Sequence, residues 1–332
     1  MFVEFFFLLG DEDVKKLTDN IQITITCSLA GVKAVIYQSD NFAHLINTII
    51  KEERVLLQSK DENIKNLYWS FVKYINKCAI AIVVIAGGTA GLLVVATSTI
   101  GLLSDSDDKP MIFLAHFPFN QKKHYFTSIL IQASSVGVAT VYYCMSQILY
   151  LCILTFVKAK LKVLQYHFRC FKIENGTNDA KRARELVKYH QRIIRFVEKL
   201  NDSIKYLLLI EFLSSSLNIA SVMYQLLSAQ TLTDIIFSIS YLMVLIGQLF
   251  ILAWHANEIK VESVAVSDAA YDSSWYASSY NIKQMIQMVI MRSNKPLLLT
   301  IGPFNPLTTQ TVISVINAAY SYVMIMTNGN DL

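Results

Sequence analysis

The last apolar stretch of the chain reads "ISVINAAYSYVMIM" (residues 313–326), and its polar side chains are not scattered. On a helix turning about 100° per residue, Ser314, Asn317, Ser321 and Asn328 fall within one stripe roughly 60° wide, with Ile325 on its edge. A helix of this apolarity belongs in a bilayer, and a narrow wet seam along it must face water or another protein surface.

Composition extends the argument to the whole chain. Of 332 residues, 54% are hydrophobic and 16% are charged, and the mean hydropathy is +0.41. A water-soluble domain of this size carries far more charge, so the chain reads as an all-α, polytopic membrane protein. Crossing a bilayer takes about 20 apolar residues, and six stretches meet that length: 14–37, 77–103, 126–157, 206–229, 232–256 and 307–327. The opening "MFVEFFFLL" is too short to cross, and it lacks the basic start and small-residue cleavage site of a signal peptide. It reads as the remaining end of a further span. The five cysteines are spread singly, without CxxC spacing, so neither a disulfide framework nor a metal site is expected.

Lysine and arginine set the orientation. Thirteen of the 29 fall between Lys158 and Lys205, which places that connection in the cytoplasm. Alternation from there puts connections 38–76 and 255–295 on the same side and the C-terminus outside. The sequons Asn175-Gly176-Thr177 and Asn201-Asp202-Ser203 then face the cytosol and stay unmodified. Within the basic connection, Leu186, Tyr189, Ile193, Phe196, Val197 and Leu200 recur at helical spacing, so it is expected to be helical and to continue into the next span. Its two possible uses are subunit docking and lying on anionic headgroups. Asp105, Asp107 and Asp108, ahead of Phe117-Pro118-Phe119, are expected to solvate an outer loop, with attraction of cations towards an outer mouth as the alternative. Of the two ionisable residues inside spans, Lys33 is expected to snorkel to the headgroups. Glu211 is expected to be hydrated or paired with a base.

The segment "WHANEIKVESVAVSDAAYDSSWY" (254–276), followed by "MRSNKPLLLTIGPFNPLTTQTVISVINAAYSYVMIM" (291–326), resembles the C-terminal signature of insect odorant receptors. The matching positions are Asn257-Glu258 with Ser263, Ala270-Tyr271 ahead of Trp275, Arg292-Ser293 with Lys295-Pro296-Leu297, Gly302 with Phe304, and Ala319-Tyr320-Ser321-Tyr322. "HFPF" and "KLKVLQYHF" match weaker upstream features, so the resemblance covers nearly the whole chain.

That resemblance implies a seven-helix subunit with its N-terminus inside, which joins a shared odorant co-receptor in a tetrameric cation channel opened by a volatile ligand. The present chain would then lack most of the first helix. The implied layout is transmembrane ligand-binding helices in 1–165, a cytoplasmic helical extension in 166–205 and further membrane helices in 206–256. A cytoplasmic anchor in 257–306 and a pore-lining helix with outer tail in 307–332 complete it. Ser314, Asn317 and Ser321 would line the conduit, with Ile325 as gate and Asn328 as a polar collar. Without the resemblance, helix packing explains such residues equally well. Pro296, Pro303 and Pro306, with Gly302 among them, would divide the anchor from the pore helix.

The family's odorants bind in the outer half of the bundle. The corresponding positions are Ile21, Thr24 and Ile25; Gly88, Gly91, Leu92 and Val95; Ser135, Ala139 and Tyr142; and Phe237, Ser240 and Tyr241. Such a pocket should be apolar and aromatic with one or two hydroxyls. The expected partners are therefore co-receptor subunits in a heterotetramer, a small volatile ligand and membrane lipid, with no nucleic acid. No cofactor is implied, and no nucleophile–base pair or phosphate loop suggests an enzyme. A gustatory receptor channel of the same fold is the alternative. A G-protein-coupled receptor is the remoter one, since Asn305-Pro306 is followed by Thr309 where that family's motif needs tyrosine.

Overall fold

The computed structural model describes residues 14–103, 110–113, 124–172, 178–227, 229 and 231–329. Among the described residues, eight α-helices follow in order. They are α1 (Val14–Tyr37), α2 (Asp40–Leu57), α3 (Glu62–Leu103), α4 (Tyr125–Arg169), α5 (Asn178–Leu227), α6 (Leu232–Tyr271), α7 (Tyr280–Ser293) and α8 (Thr309–Gly329). A 3-10 turn, Ser274–Ala277, precedes α7, and the two-residue strands β1 (Thr300–Ile301) and β2 (Asn305–Pro306) pair antiparallel between α7 and α8. By length and composition α3, α4, α5 and α6 can cross a membrane.

The expected segmentation at the prolines is present. Gly302 sits at the hairpin tip with φ +58°, a conformation that residues bearing a Cβ rarely adopt. The basic connection is helical on both sides: α4 runs to Arg169, and α5 is one rod of 50 residues, about 75 Å at 1.5 Å per residue. A rod that long passes well beyond a hydrocarbon core of about 30 Å.

One helix lies where no structure is expected. Helix α2 occupies part of connection 38–76. Ser39 caps it by accepting from the Phe42 amide, and Phe42 and Leu45 bury against the core while Ile46 and Ile49 pack partly on it. Cap and periodicity were both present in the sequence; the strong apolarity of the neighbouring spans hid them.

The dense core lies at the end of the bundle that carries the basic connection, here called the basic end. Val157, Leu161 and Leu164 of α4, Leu200 and Leu208 of α5 and Ala253, Ile259 and Val266 of α6 are wholly or almost wholly buried. Alternate lysines of α4 tie it to two neighbours. Lys158 pairs with Glu258 and Lys162 with Glu262 at 2.7 Å, both on α6, while Lys160 pairs with Glu52 on α2. By contrast α3 exposes Ile80, Val83, Val84 and Val95, as suits a helix whose apolar side faces lipid. The Asp105 cluster, Phe117 to Phe119, residues 1–9 and the Asn175 sequon lie outside the described residues.

Candidate functional site

Between α3, α4 and α6 lies a cavity of about 90 Å³. Ile82, Ile85 and Ala86 line it from α3, and Tyr143, Gln147, Tyr150, Leu151 and Leu154 from α4. Helix α6 contributes Met243, Val244, Gly247, Gln248, Ile251, Leu252 and His255. An apolar wall with a few placed polar groups is the usual form of a small-molecule site. Tyr143, Gln147, Tyr150 and Leu154 recur every three or four residues, so a single face of α4 supplies that wall.

These helices are three of the four expected to hold the ligand, but the residues differ. None of the expected ligand positions lines the cavity, which begins one or two residues beyond them on each helix and extends from there towards the basic end. Gly88, Gly91, Leu92, Val95, Ser135 and Ala139 are exposed. The Tyr142 hydroxyl donates to the Ala30 carbonyl of α1 at 3.1 Å, and Thr24 donates to Asn20 at 3.2 Å. Phe237 and Tyr241 stack with centroids 5.9 Å apart, while Ser240 and Ile25 are half-buried. The Ile21 side chain lies outside the described residues. Tyr143 and Gln147 could have been found in the sequence as polar residues at helical spacing inside an apolar run.

The polar groups of the cavity are tied into their surroundings. Tyr143 donates to Gln248 Oε1, and Gln248 Nε2 donates to Ser215 Oγ on α5 at 3.4 Å. His255 Nδ1 lies 2.7 Å from the Ile251 carbonyl and Nε2 lies 3.2 Å from the Tyr74 hydroxyl. A carbonyl can only accept, so Nδ1 carries the proton and Tyr74 donates to Nε2.

Behind Gln147 is a buried ion pair. Lys33 Nζ of α1 lies 3.0 Å from Glu211 Oε1 of α5, with side chains 6% and 3% exposed, so Lys33 does not snorkel. It turns inward, because a carboxylate on α5 and the Tyr150 ring, 5.7 Å from its Nζ, offer it a partner that bare hydrocarbon does not. Gln147 Nε2 also donates to Glu211 Oε1, at 3.1 Å. Among the described residues, none meets the geometry of a hydrogen bond to Glu211 Oε2 or to the Tyr150 hydroxyl, both of which are buried.

At the other end of the chain, α8 rests on α5 and α6. Val312 and Ala319 are buried against the chain itself, whereas Ser314, Asn317, Ser321 and Ile325 are exposed. Ser314 and Ser321 turn their hydroxyl protons to the carbonyls of Gln310 and Asn317. Ile313 and Tyr320 are exposed as well, so the seam shares the outer side of α8 with apolar neighbours. The Asn328 side chain lies outside the described residues.

The hairpin before α8 is pinned to α5. Asn201 Oδ1 accepts from the Thr300 amide at 2.8 Å and from its hydroxyl at 3.2 Å, and the Gly302 amide donates to the Lys205 carbonyl at 2.8 Å. One rod therefore contacts the ion pair behind the cavity, the hairpin and α8.

Comparison with known proteins agrees with the architecture. Odorant receptor 10 of Aedes albopictus is 32% identical over 171 residues, 50% of this chain and 46% of that receptor. The odorant receptor coreceptor of Ooceraea biroi is 26% identical over 148 residues, 43% of this chain and 31% of that protein. The chain thus aligns with less than half the length of either. The structure of the insect olfactory receptor OR5 from Machilis hrabei in complex with eugenol superposes with a TM-score of 0.82 at 17% identity, covering 97% of this chain and 84% of that one. It shares the fold. The model of the 7tm odorant receptor family matches residues 13–320, and the chain belongs to that family.

Proposed function

We propose that the chain is an odorant-binding subunit which, together with odorant co-receptor subunits, forms a non-selective cation channel in the plasma membrane of olfactory sensory neurons. Its basic connection faces the cytoplasm, and its C-terminus lies outside. The observation that carries this reading is the outward seam of α8. Ser314, Asn317 and Ser321 point away from the subunit while Val312 and Ala319 pack inward, which is the arrangement a pore wall needs when several subunits surround water. Ile325, 70% exposed on the same side, is placed to close such a pore by dewetting. The cavity between α3, α4 and α6 is the place for the volatile. Kinship with co-receptors, whose name speaks of shared assembly, supports a mixed complex.

The test is electrical. In cells expressing the chain with a co-receptor, a volatile panel should evoke current within milliseconds, and a G-protein inhibitor should leave it unchanged. Cysteines placed at 317, 321 and 325 should let small aqueous thiol reagents alter conduction. Currents that vanish with the inhibitor, or that ignore the reagents at all three positions, would reject the channel reading.

A further inference from the structure

The cavity between α3, α4 and α6 is closed on one side and open on another. Its α4 wall is sealed, with Tyr150, Leu151 and Leu154 at most 3% exposed. The opposite edge is not. Ile85 of α3 and Met243 and Ile251 of α6 line the cavity and are 55%, 68% and 36% exposed, so the mouth lies between α3 and α6.

Gly247 also lines the cavity, one helical turn from Met243 on one side and from Ile251 on the other. Exposed apolar side chains run along this side of α6 at helical spacing, namely Ile236, Ile239, Met243, Phe250 and Trp254. At Gly247 the row is broken. Among the described residues, a Cβ there would meet no neighbouring helix within 4 Å. Glycine weakens a helix, and in a membrane its usual return is the close approach of a second helix. That use needs small residues one turn away, and here they are methionine and isoleucine. What the absent side chain leaves is a gap in the cavity wall.

The gap lies deep. Gly247 is nine residues from the cytoplasmic end of the apolar stretch 232–256 and fifteen from its outer end, about 13 and 22 Å along the axis. Ile85 is eight residues into the stretch 77–103, and neither 78–103 nor 235–254 contains a charged residue. Since a hydrocarbon core is about 30 Å thick, the mouth meets acyl chains rather than water.

We propose that volatile molecules enter the cavity sideways from the bilayer, through this mouth between α3 and α6, with Gly247 keeping the passage open. The inference deepens the reading of the cavity as the volatile-binding site and rests on it. The molecules this route admits are uncharged and lipid-soluble, because the bilayer collects them from dilute aqueous solution before they meet the protein. Each added methylene raises that accumulation about fourfold. Residues at the mouth then govern the rates of entry and exit, whereas Gln147 and Leu252, buried in the wall, govern the equilibrium.

The experiment times current onset and decay under rapid perfusion of 1-butanol, 1-pentanol and 1-hexanol, with the full chain co-expressed with a co-receptor. In the wild type, the association rate per aqueous concentration should rise about fourfold with each methylene, whereas entry from water would leave it flat. Gly247→Trp should slow onset and decay together, each by about tenfold, and Met243→Ala should move both rates the other way. A general structural defect would lower the maximal current without slowing the two rates equally. In reconstituted membranes, the added tryptophan of Gly247→Trp should be quenched by phosphatidylcholine brominated on its acyl chains and not by aqueous iodide, read as the difference from the wild type with its Trp69, Trp254 and Trp275. A flat series, unmoved rates in Gly247→Trp, or quenching by iodide would each overturn the proposal. If Gly247→Trp does not reach the surface, the wild-type series decides; if the alkanols evoke no current, the quenching decides. Ala86→Leu, which fills the buried side of the cavity, separates the two readings. Half-maximal concentrations unchanged in Ala86→Leu would reject the cavity as the volatile site, and the lateral route with it. Responses lost in Ala86→Leu alongside a flat series would keep the site and reject the route.

Discussion

Substituting Lys33 with methionine strands the Glu211 carboxylate in a membrane-depth interior, where, among the described residues, the Gln147 amide is left to donate to it. Breaking a buried pair from one side costs about 3–5 kcal/mol, whereas removing both charges together is far milder. Lys33→Met should therefore lower the thermal midpoint of the detergent-purified protein and its surface delivery, and K33M/E211M should recover most of both. Equal loss in the single and double variants would show that the pair is not an energetic unit. Outside the membrane, His190 on α5 is 5% exposed, and burial, with the Arg292 guanidinium adding to it, pushes its pKa down to about 4. The folded chain keeps this imidazole neutral while the unfolded chain takes up a proton near pH 6.5, so stability is complete above that pH and declines as pH falls from about 6.5 towards 4. Thermal midpoints should fall between pH 7 and 5 by the equivalent of roughly 2 kcal/mol, and His190→Gln should flatten that decline. Neither environment could be read locally. Lys33 sits 178 residues from its partner, and nothing in its own neighbourhood distinguishes an inward-facing lysine from one that snorkels.

Among the elements, the hairpin between α7 and α8 was the most legible. Three prolines and a glycine within eleven residues forbid a continuous rod, and the chain turns at Gly302. Its φ of +58° places it in the left-handed region, and a Cβ there would meet Leu209 Cδ2 at 3.0 Å. Gly302→Ala should cost about 1–2 kcal/mol from backbone conformation alone, measured as a lowered thermal midpoint. Leu209→Ala in the same chain should relieve the contact but not the backbone term, so recovery should be partial. Full recovery would mean that space, not φ, is the constraint. Helix α2 was missed for the opposite reason: its signals are ordinary in strength, and a window tuned to spans of 20 residues passes over an amphipathic helix of 18 residues. The position of the cavity along α3, α4 and α6 was not legible, because periodicity gives the face of a helix but not its depth. Depth here is set by where α3, α4 and α6 diverge, which depends on side-chain volumes on all three at once.

For the molecule as a whole, helical bundle architecture followed from hydropathy because spans of this apolarity have no other way to satisfy their backbone in a bilayer. Orientation rests on charge alone. Thirteen cations lie between Lys158 and Lys205, and translocating them would move more charge than translocating any other connection. That asymmetry makes one prediction for glycosylation mapping. An acceptor sequon appended after Leu332 should gain a glycan, seen as a shift that glycosidase removes, while the native sequon at Asn175 should gain none. The sequon at Asn201 is less informative in either orientation, because its side-chain oxygen already accepts from Thr300 within a folded helix. A sugar on Asn175 together with a bare appended sequon would turn the bundle over. The face of α7 and the basic length of α5 would then lie outside the cell, and the assembly in which α8 surrounds a pore would have to be built from the other side.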